Sequence, residues 1–340
     1  MKNALHHNPR EHLLVLRLSA MGDVAMTIPV IYSVARRYPD MKLTVVTKPR
    51  FKHLFVNPPE NVGFVVAETE GIHHGVTGLN KLIGQLKRMN FTGVADLHDV
   101  LRTRLIRFAL RLHAVPVETV DKDRTGRQKL TKKKSREQQR NYVDRYVDVF
   151  RRLGYDVDAH TFPGLFPDVA DRQGVGIAPF ARYGAKTYPE KQMRKVCTLL
   201  ADAGQKVYLF GAPGPEQERL KKWAEADPRL TVMAGRMSIE EELRTMSRLR
   251  VLLSMDSANM HMASLVATPV VSLWGSTIPQ CGFLGFGQTL DNALWLNLEC
   301  QPCSIAGVDE CPIGHFACFK RLAPETVAEK VLSLAGDQSR

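Results

Sequence analysis

The stretch HLLVLRLSAMGDVAMTIPVIYSVARRY, residues 12–38, decides the fold. Residues 12–18 are a short apolar run that stops at a turn of small residues, Ser19-Ala20-Met21-Gly22-Asp23. The chain then enters a helical pattern through Pro29, a residue suited to a first helical turn because its missing N–H has no partner there. KLTVVT (42–47), VGFVVA (62–67) and TGVADLH (92–98) repeat the strand signal, and VTGLNKLIGQLKRM (76–89) repeats the helical one. Strands spaced by helices predict βαβ units and a parallel sheet.

This rhythm breaks at VDKDRTGRQKLTKKKSREQQR (120–140), which is almost free of apolar residues and reads as a mobile loop or a solvated basic arm. A helix over 141–155 follows, and AHTFPGLFPDVADRQ (159–173), with two prolines and a glycine, reads as an interdomain linker. A second alternating set then runs from strand 174–180 through strands 206–212, 230–235, 250–256 and 269–277, with helices between them. The expectation is an α/β protein of two Rossmann-like domains, 1–165 and 166–323, with a terminal helix and tail at 324–340. Two such domains in tandem place a ligand cleft between the carboxyl ends of their sheets.

Composition agrees. A chain of 340 residues exceeds the roughly 250–300 that one core supports. Hydrophobic residues at 44% and charged residues at 24% exclude a disordered or fibrous chain. No apolar run approaches the roughly 18 residues of a membrane span. Arg17 also interrupts the stretch that a secretory signal would need, so a cytoplasmic protein with six reduced cysteines is expected. The net charge is +12, and residues 101–152 hold sixteen Lys and Arg against six Asp and Glu. Such a concentration implies a polyanionic partner: nucleic acid, a phosphorylated small molecule or an acidic membrane surface.

Several strand ends carry candidate chemistry. Asp23, beside Ser19 and Gly22, sits where a rigid strand delivers a carboxylate to the crevice, which suits a general base; the same position suits a helix N-cap. At Asp256-Ser257-Ala258-Asn259-Met260-His261 a strand runs into a helix whose free N–H groups can hold a pyrophosphate, with Ser257 and His261 as added donors. Lys186, on the loop after the first strand of the second set, can neutralise a leaving phosphate as a point charge. Glu216 follows the strand at 206–212 and could reach ribose hydroxyls. In 94–104, Asp96 and His98 end a strand, and Arg102 and Arg104 begin a helix with an apolar stripe of Leu101, Leu105, Phe108 and Leu112. That basic amphipathic helix suits either a solvated surface or an anionic membrane or substrate. Cys300, Cys303, Cys311 and Cys318 could hold zinc, but only one C-x2-C knuckle is present, and packed thiols are the simpler reading.

Taken together, RLSAMGDVAMTIPV, KTYP, MDSANMHMASLVATPVVSLWGSTIP and CQPCSIAGVDECPIGHFACFK resemble the glycosyltransferase family nine heptosyltransferases, which build the inner core of bacterial lipopolysaccharide. The resemblance implies the GT-B architecture, two Rossmann-like domains facing a central cleft, with donor held by the second domain and acceptor by the first. It implies inverting transfer of a heptose from a nucleotide sugar, typically ADP-L-glycero-D-manno-heptose, with no cofactor and no metal required. Asp23 matches the family's general base, Lys186 its phosphate-binding lysine, and Asp256, Ser257, Ala258 and His261 its donor motif. Glu216 and Met237 fall, by spacing, at positions used for ribose and adenine. The implied acceptor is 3-deoxy-octulosonic acid, or the first heptose, on lipid A. Ser19, Gly22, Arg102 and Arg104 are its expected contacts, and peripheral contact with the inner membrane is expected too. The terminal helix is expected to cross back onto the first domain. The chain departs from the family at Ala258, usually Gly, at Gly275-Ser276, usually Gly-Pro, and at Tyr188, usually Trp.

The rival readings are a transferase using another nucleotide sugar and a non-enzymatic basic protein that binds polyanions or a lipid surface. The basic stretch lacks the interleaved aromatics of a nucleic-acid binder.

Overall fold

The computed structural model describes residues 11–111, 113–132 and 135–336. The chain forms two compact units: residues 1–122 with 142–162, and residues 123–141 with 163–340. The main crossing therefore falls at 162/163, within the Pro- and Gly-containing linker, three residues before the expected boundary. The excursion at 123–141 was not anticipated.

The first unit runs β1 (His12–Leu16), α1 (Met21–Ala25), α2 (Ile28–Arg37), β2 (Lys42–Thr47), α3 (Pro49–Lys52), β3 (Val62–Val66), α4 (Gly75–Lys87), β4 (Gly93–Asp96), α5 (Leu101–Arg111) and β5 (Val117–Thr119). Next in the chain, α6 (Arg124–Thr131) belongs to the second unit, and α7 (Tyr142–Arg152) returns to the first. All strand pairs are parallel, in the order β3-β2-β1-β4-β5. Leu13, Leu14, Val15 and Leu16 are all buried, so β1 reads as a continuous apolar run rather than an alternation, as a strand covered on both faces must. Strand order reverses beside β1, which puts the switch point at the carboxyl ends of β1 and β4.

The second unit contains β6 (Val175–Ala178), α8 (Glu190–Asp202), β7 (Val207–Leu209), α9 (Pro215–Ala226), β8 (Leu230–Val232), α10 (Ile239–Ser247), β9 (Val251–Met255), α11 (Ala258–Leu265), β10 (Val270–Leu273), β11 (Ala293–Leu294), α12 (Ala317–Lys320) and α13 (Pro324–Ala335). Its parallel order is β11-β10-β9-β6-β7-β8, so the switch lies between β6 and β9, where Ala178 pairs in register with Ser254. Helix α10 opens with a capping box between Ser238 and Glu241.

Two expectations are corrected here. The terminal helix α13 belongs to the second unit rather than the first. Val327, Ala328, Val331 and Ala335 are buried in the second unit's core, and the helix packs along α8 and β9. Its two valines alone contribute roughly 2 kcal/mol each through burial. The basic stretch 120–140 is neither loose nor wholly solvated over its described residues. Its helix α6 buries Leu130 against Ile278 and Cys281, with Phe283, Trp295 and Ile305 around them. The Gln139 N–H donates to Gln280 O at 2.9 Å, and Arg136 donates to Gln301 O. A single leucine in a polar run, together with backbone pairing, is enough to seat the segment. As a consequence the basic run 101–152 is divided between the two units.

Candidate active site

In the first unit, β1 leads out through Arg17 and Leu18 to the short helix α1, and Asp23 is the third residue of that helix, not its N-cap. Asp23 Oδ2 accepts the Ala20 N–H at 3.2 Å, closing the first turn. Oδ1 lies 2.9 Å from Arg17 Nη2. Asp23 thus combines a helix-closing role with an ion pair, while its side chain stays 27% exposed. Arg17 is almost fully buried, donates to Leu97 O at 2.6 Å and lies over the Tyr146 ring. Burial works against its charge, but Asp23 and the neighbouring Tyr146 and Tyr142 outweigh that and hold it firmly protonated.

β4 brings a second set of groups to the same switch point. Asp96 is fully buried; its Oδ1 accepts the N–H groups of His98 and Asp99, and its Oδ2 pairs with Arg107 at 2.9 Å. The Leu18 N–H donates to His98 Nδ1 at 3.4 Å, so the ring is neutral with its proton on Nε2. Burial, together with the charges of Arg17 and Lys122, pushes the His98 pKa down to about 3. Arg104 forks onto Asp99, with Nε and Nη2 at 2.9 and 3.1 Å. Arg102 instead turns to His73 O at 2.9 Å. Ser19 is half-buried and Gly22 buried within the α1 turn.

In the second unit the loops after β6 and β9 meet. Lys186, closing a 3-10 turn over Gly184–Lys186, places Nζ 2.6 Å from Asp256 Oδ2, and both side chains are nearly buried. The Thr277 hydroxyl donates to that same oxygen at 2.6 Å. Lys186 Nζ also lies 3.5 Å from Ala306 O. An ammonium has three donors, so one remains for a phosphate oxygen. The turn is held against the end of β10, where the Ser276 N–H donates to Ala185 O at 3.0 Å. Gly275 permits that approach: a Cβ there would lie 2.7 Å from Ala185 O and would run into the Phe319 ring.

α11 starts directly after this pair. Its N-cap Ser257 makes no cap hydrogen bond with its side chain, because the hydroxyl faces Ser254 Oγ at 3.2 Å. The first-turn N–H groups are therefore left uncapped by it, beside half-buried Ala258 and within a turn of buried His261. Glu216 sits in the first turn of α9 and accepts the Ala212 N–H at 2.7 Å. With Thr187, Tyr188, Glu190 and Arg219 it lines a cavity of about 370 Å³. Met237 is half-buried before α10 and accepts the Thr245 hydroxyl on its sulfur at 3.3 Å.

Lys186, Asp256, Ser257 and Ala258, all anticipated, come together at one strand switch; Glu216 and Met237 lie on neighbouring strand ends of the same sheet. Arg17 and Thr277 were missed as site residues. For Arg17 the signal was available, because a lone arginine inside an apolar strand needs a carboxylate. Thr277 had none, since a threonine after a strand is commonplace. The six cysteines are free thiols, and among the described residues no three His, Cys, Asp or Glu side chains stand together to hold a metal ion. Among those residues no helix is long and apolar enough to cross a membrane.

Residues 79–311 match the family model described as glycosyltransferase family 9 (heptosyltransferase). Lipopolysaccharide heptosyltransferase 3 of Escherichia coli is 26% identical over 281 residues, covering 75% of this chain and 81% of that protein. Lipopolysaccharide heptosyltransferase 1 of Pseudomonas aeruginosa is 23% identical over 354 aligned positions, covering 94% and 96%. Among solved structures, the E. coli heptosyltransferase WaaC with ADP superposes with a TM-score of 0.68 at 19% identity, over 95% of this chain and all of that one. A family 9 glycosyltransferase from Veillonella parvula gives 0.73 at 18% identity, over 98% and 99%. These likenesses show the GT-B-type two-unit α/β fold.

Proposed function

Because this chain belongs to glycosyltransferase family 9, the heptosyltransferases, we propose that it moves a heptose from an ADP-linked donor to the lipid-anchored inner core of lipopolysaccharide, with inversion at the anomeric carbon. The observation that carries this reading is the nearly buried Lys186–Asp256 pair beside the uncapped start of α11. It is supported by the lipopolysaccharide heptosyltransferases among the relatives and by the ADP in the WaaC structure.

The chemistry divides between the units. In the first, Asp23 takes the proton of the acceptor hydroxyl, and that oxygen attacks the anomeric carbon opposite the diphosphate. Arg17 fixes the carboxylate's position. Ser19, Gly22, Arg102 and Arg104 are assigned to the acceptor. In the second unit, Lys186 and the α11 N–H groups take up the negative charge that grows on the departing ADP. Asp256 and Thr277 hold Lys186 in place for that task. Glu216 and Met237 are assigned to ribose and adenine. The charge on the leaving group is met by side chain and backbone, so the reading has no required cofactor and expects transfer to persist in EDTA.

Calorimetric titration with ADP, UDP and GDP tests the donor half. The expected result is selective ADP binding that Lys186→Ala weakens strongly. Preference for UDP or GDP would move the donor to another nucleotide sugar, and no nucleotide binding at all would sink the reading.

A further inference from the structure

Helix α5 carries its most apolar stripe on the wrong side for a core helix. Its buried residues are Thr103, Ile106 and Leu110. Leu101, Leu105 and Phe108, at spacings of four and three, lie within roughly 60° of one another around the helix. They are 74%, 44% and 62% exposed. Leu112, the fourth residue of the expected stripe, lies outside the described residues.

The stripe does not stand alone. The hydrogen bond from Arg102 to His73 O ties the start of α5 to the turn before α4, where Ile72 is 61% exposed; Val76, in the first turn of α4, is 78% exposed. Five of the seven exposed large hydrophobic residues among those described therefore belong to this corner of the first unit. Single exposed leucines are ordinary, whereas a cluster on two packed helices marks a contact surface. The charge around it is mainly cationic: residues 72–91 and 101–111 carry seven Lys and Arg and no Asp or Glu. Arg104 and Arg107 are paired with Asp99 and Asp96, and Glu68 and Glu70 precede Ile72, Glu70 paired with Lys48. Arg111 beside the stripe, and Lys81 and Lys87 on α4, are exposed. An apolar face with a cationic margin complements an anionic bilayer, in which the headgroups offer phosphates and the acyl boundary takes apolar side chains.

We propose that the outward face of α5, continued by Ile72 and Val76, docks this protein on an anionic lipid bilayer, with Leu101, Leu105 and Phe108 entering the headgroup boundary and the surrounding Arg and Lys meeting lipid phosphates. This deepens the heptosyl-transfer reading and rests on it for the lipid-anchored acceptor, which such a surface would present. The exposed stripe itself is independent of that reading.

Vesicle sedimentation without donor or acceptor tests it. The wild type should sediment with phosphatidylcholine vesicles containing phosphatidylglycerol and be released by salt. Leu101→Ser/Phe108→Ser should weaken binding by about tenfold or more, and Arg111→Gln by a few-fold. Both variants should bind ADP as the wild type does, which shows that they are folded. Equal binding by the double variant, no wild-type sedimentation, or equal binding to vesicles lacking phosphatidylglycerol would overturn the proposal. So would a wild-type dimer in ultracentrifugation that the double variant dissolves, since the stripe would then belong to a second copy. Failure of the wild type to bind ADP would sink the heptosyl-transfer reading while leaving the vesicle result standing.

Discussion

Lys186 Nζ stands 2.6 Å from Asp256 Oδ2, the two side chains delivered by the loops after neighbouring parallel strands β6 and β9. Each explains the other's burial, since neither charge could be withdrawn from water alone. In the proposed reading Asp256 acts on a phosphate through Lys186, as the group that positions it.

Asp256→Asn should separate positioning from charge. It keeps the side-chain shape and removes the counter-ion, so the lysine is left nearly buried and poorly held. ADP affinity should fall, and thermal unfolding should show a loss of about 3 kcal/mol. Lys186→Ala/Asp256→Ala should recover part of that stability without recovering ADP binding, because no uncompensated charge remains. Calorimetry alongside thermal denaturation reads both.

For Asp23 the expected signature is a split between binding and turnover. Asp23→Asn should lower heptose transfer on the order of a thousandfold, with ADP binding unchanged. The helix turn at Ala20 N–H can still be closed by the amide oxygen, so circular dichroism should match the wild type. Transfer within a few-fold of the wild type would remove Asp23 from the role of base.

His98 makes the protein sensitive to acid. Its folded-state pKa is about 3, depressed by burial and by Arg17 and Lys122, against 6.5 for the free side chain. Below pH 6.5 the unfolded chain takes up a proton that the folded one refuses, so stability is lost as pH falls from there toward 3. Between pH 7 and pH 5 this group alone should cost about 2 kcal/mol. Urea unfolding at the two pH values should show that loss in the wild type and a smaller one in His98→Gln.

Leu130 anchors α6. Leu130→Ala should cost about 3 kcal/mol at a fully buried site, and that loss should appear locally. Brief trypsin treatment should cut the variant among Arg124, Arg127, Lys129 and Lys132, at sites the wild type protects. An unchanged digestion pattern would mean that the backbone bond from Gln139 to Gln280 holds the segment by itself.

The alternation of strands and helices was legible along the chain because inner strands such as β1 and β9 are buried on both faces and appear as mostly apolar runs. The strands at 12–18, 42–47, 62–67, 92–98, 174–180, 206–212, 230–235, 250–256 and 269–277 all contain an observed strand. Two short edge strands, β5 and β11, the short helices α1, α3 and α12, and helix α6 escaped that reading. Three residues of edge strand carry too little burial to leave a pattern, and α6 shows one leucine in a run of charge. The location of candidate residues was legible too, since Asp23, Lys186 and Asp256 each follow a parallel strand, where such sheets bind ligands.

What the chain could state alone was local: which segments are strands or helices, and which reactive side chains sit at their ends. Pairing was decided only in three dimensions. Asp23 meets Arg17 within one strand-to-helix turn while also closing the first turn of α1, but that Lys186 would meet Asp256 and Thr277 depended on strand order. The sheet order brings together residues far apart in the chain, and no periodicity records it. The terminal helix was expected on the first unit and lies in the core of the second, where Val327 and Val331 find apolar neighbours along α8 and β9. The stripe on α5 follows the same logic in reverse. Its spacing was visible in the sequence, but which face of a helix meets the core is chosen by the shape of its neighbours. Here they accept Thr103, Ile106 and Leu110 and leave Leu101, Leu105 and Phe108 outside.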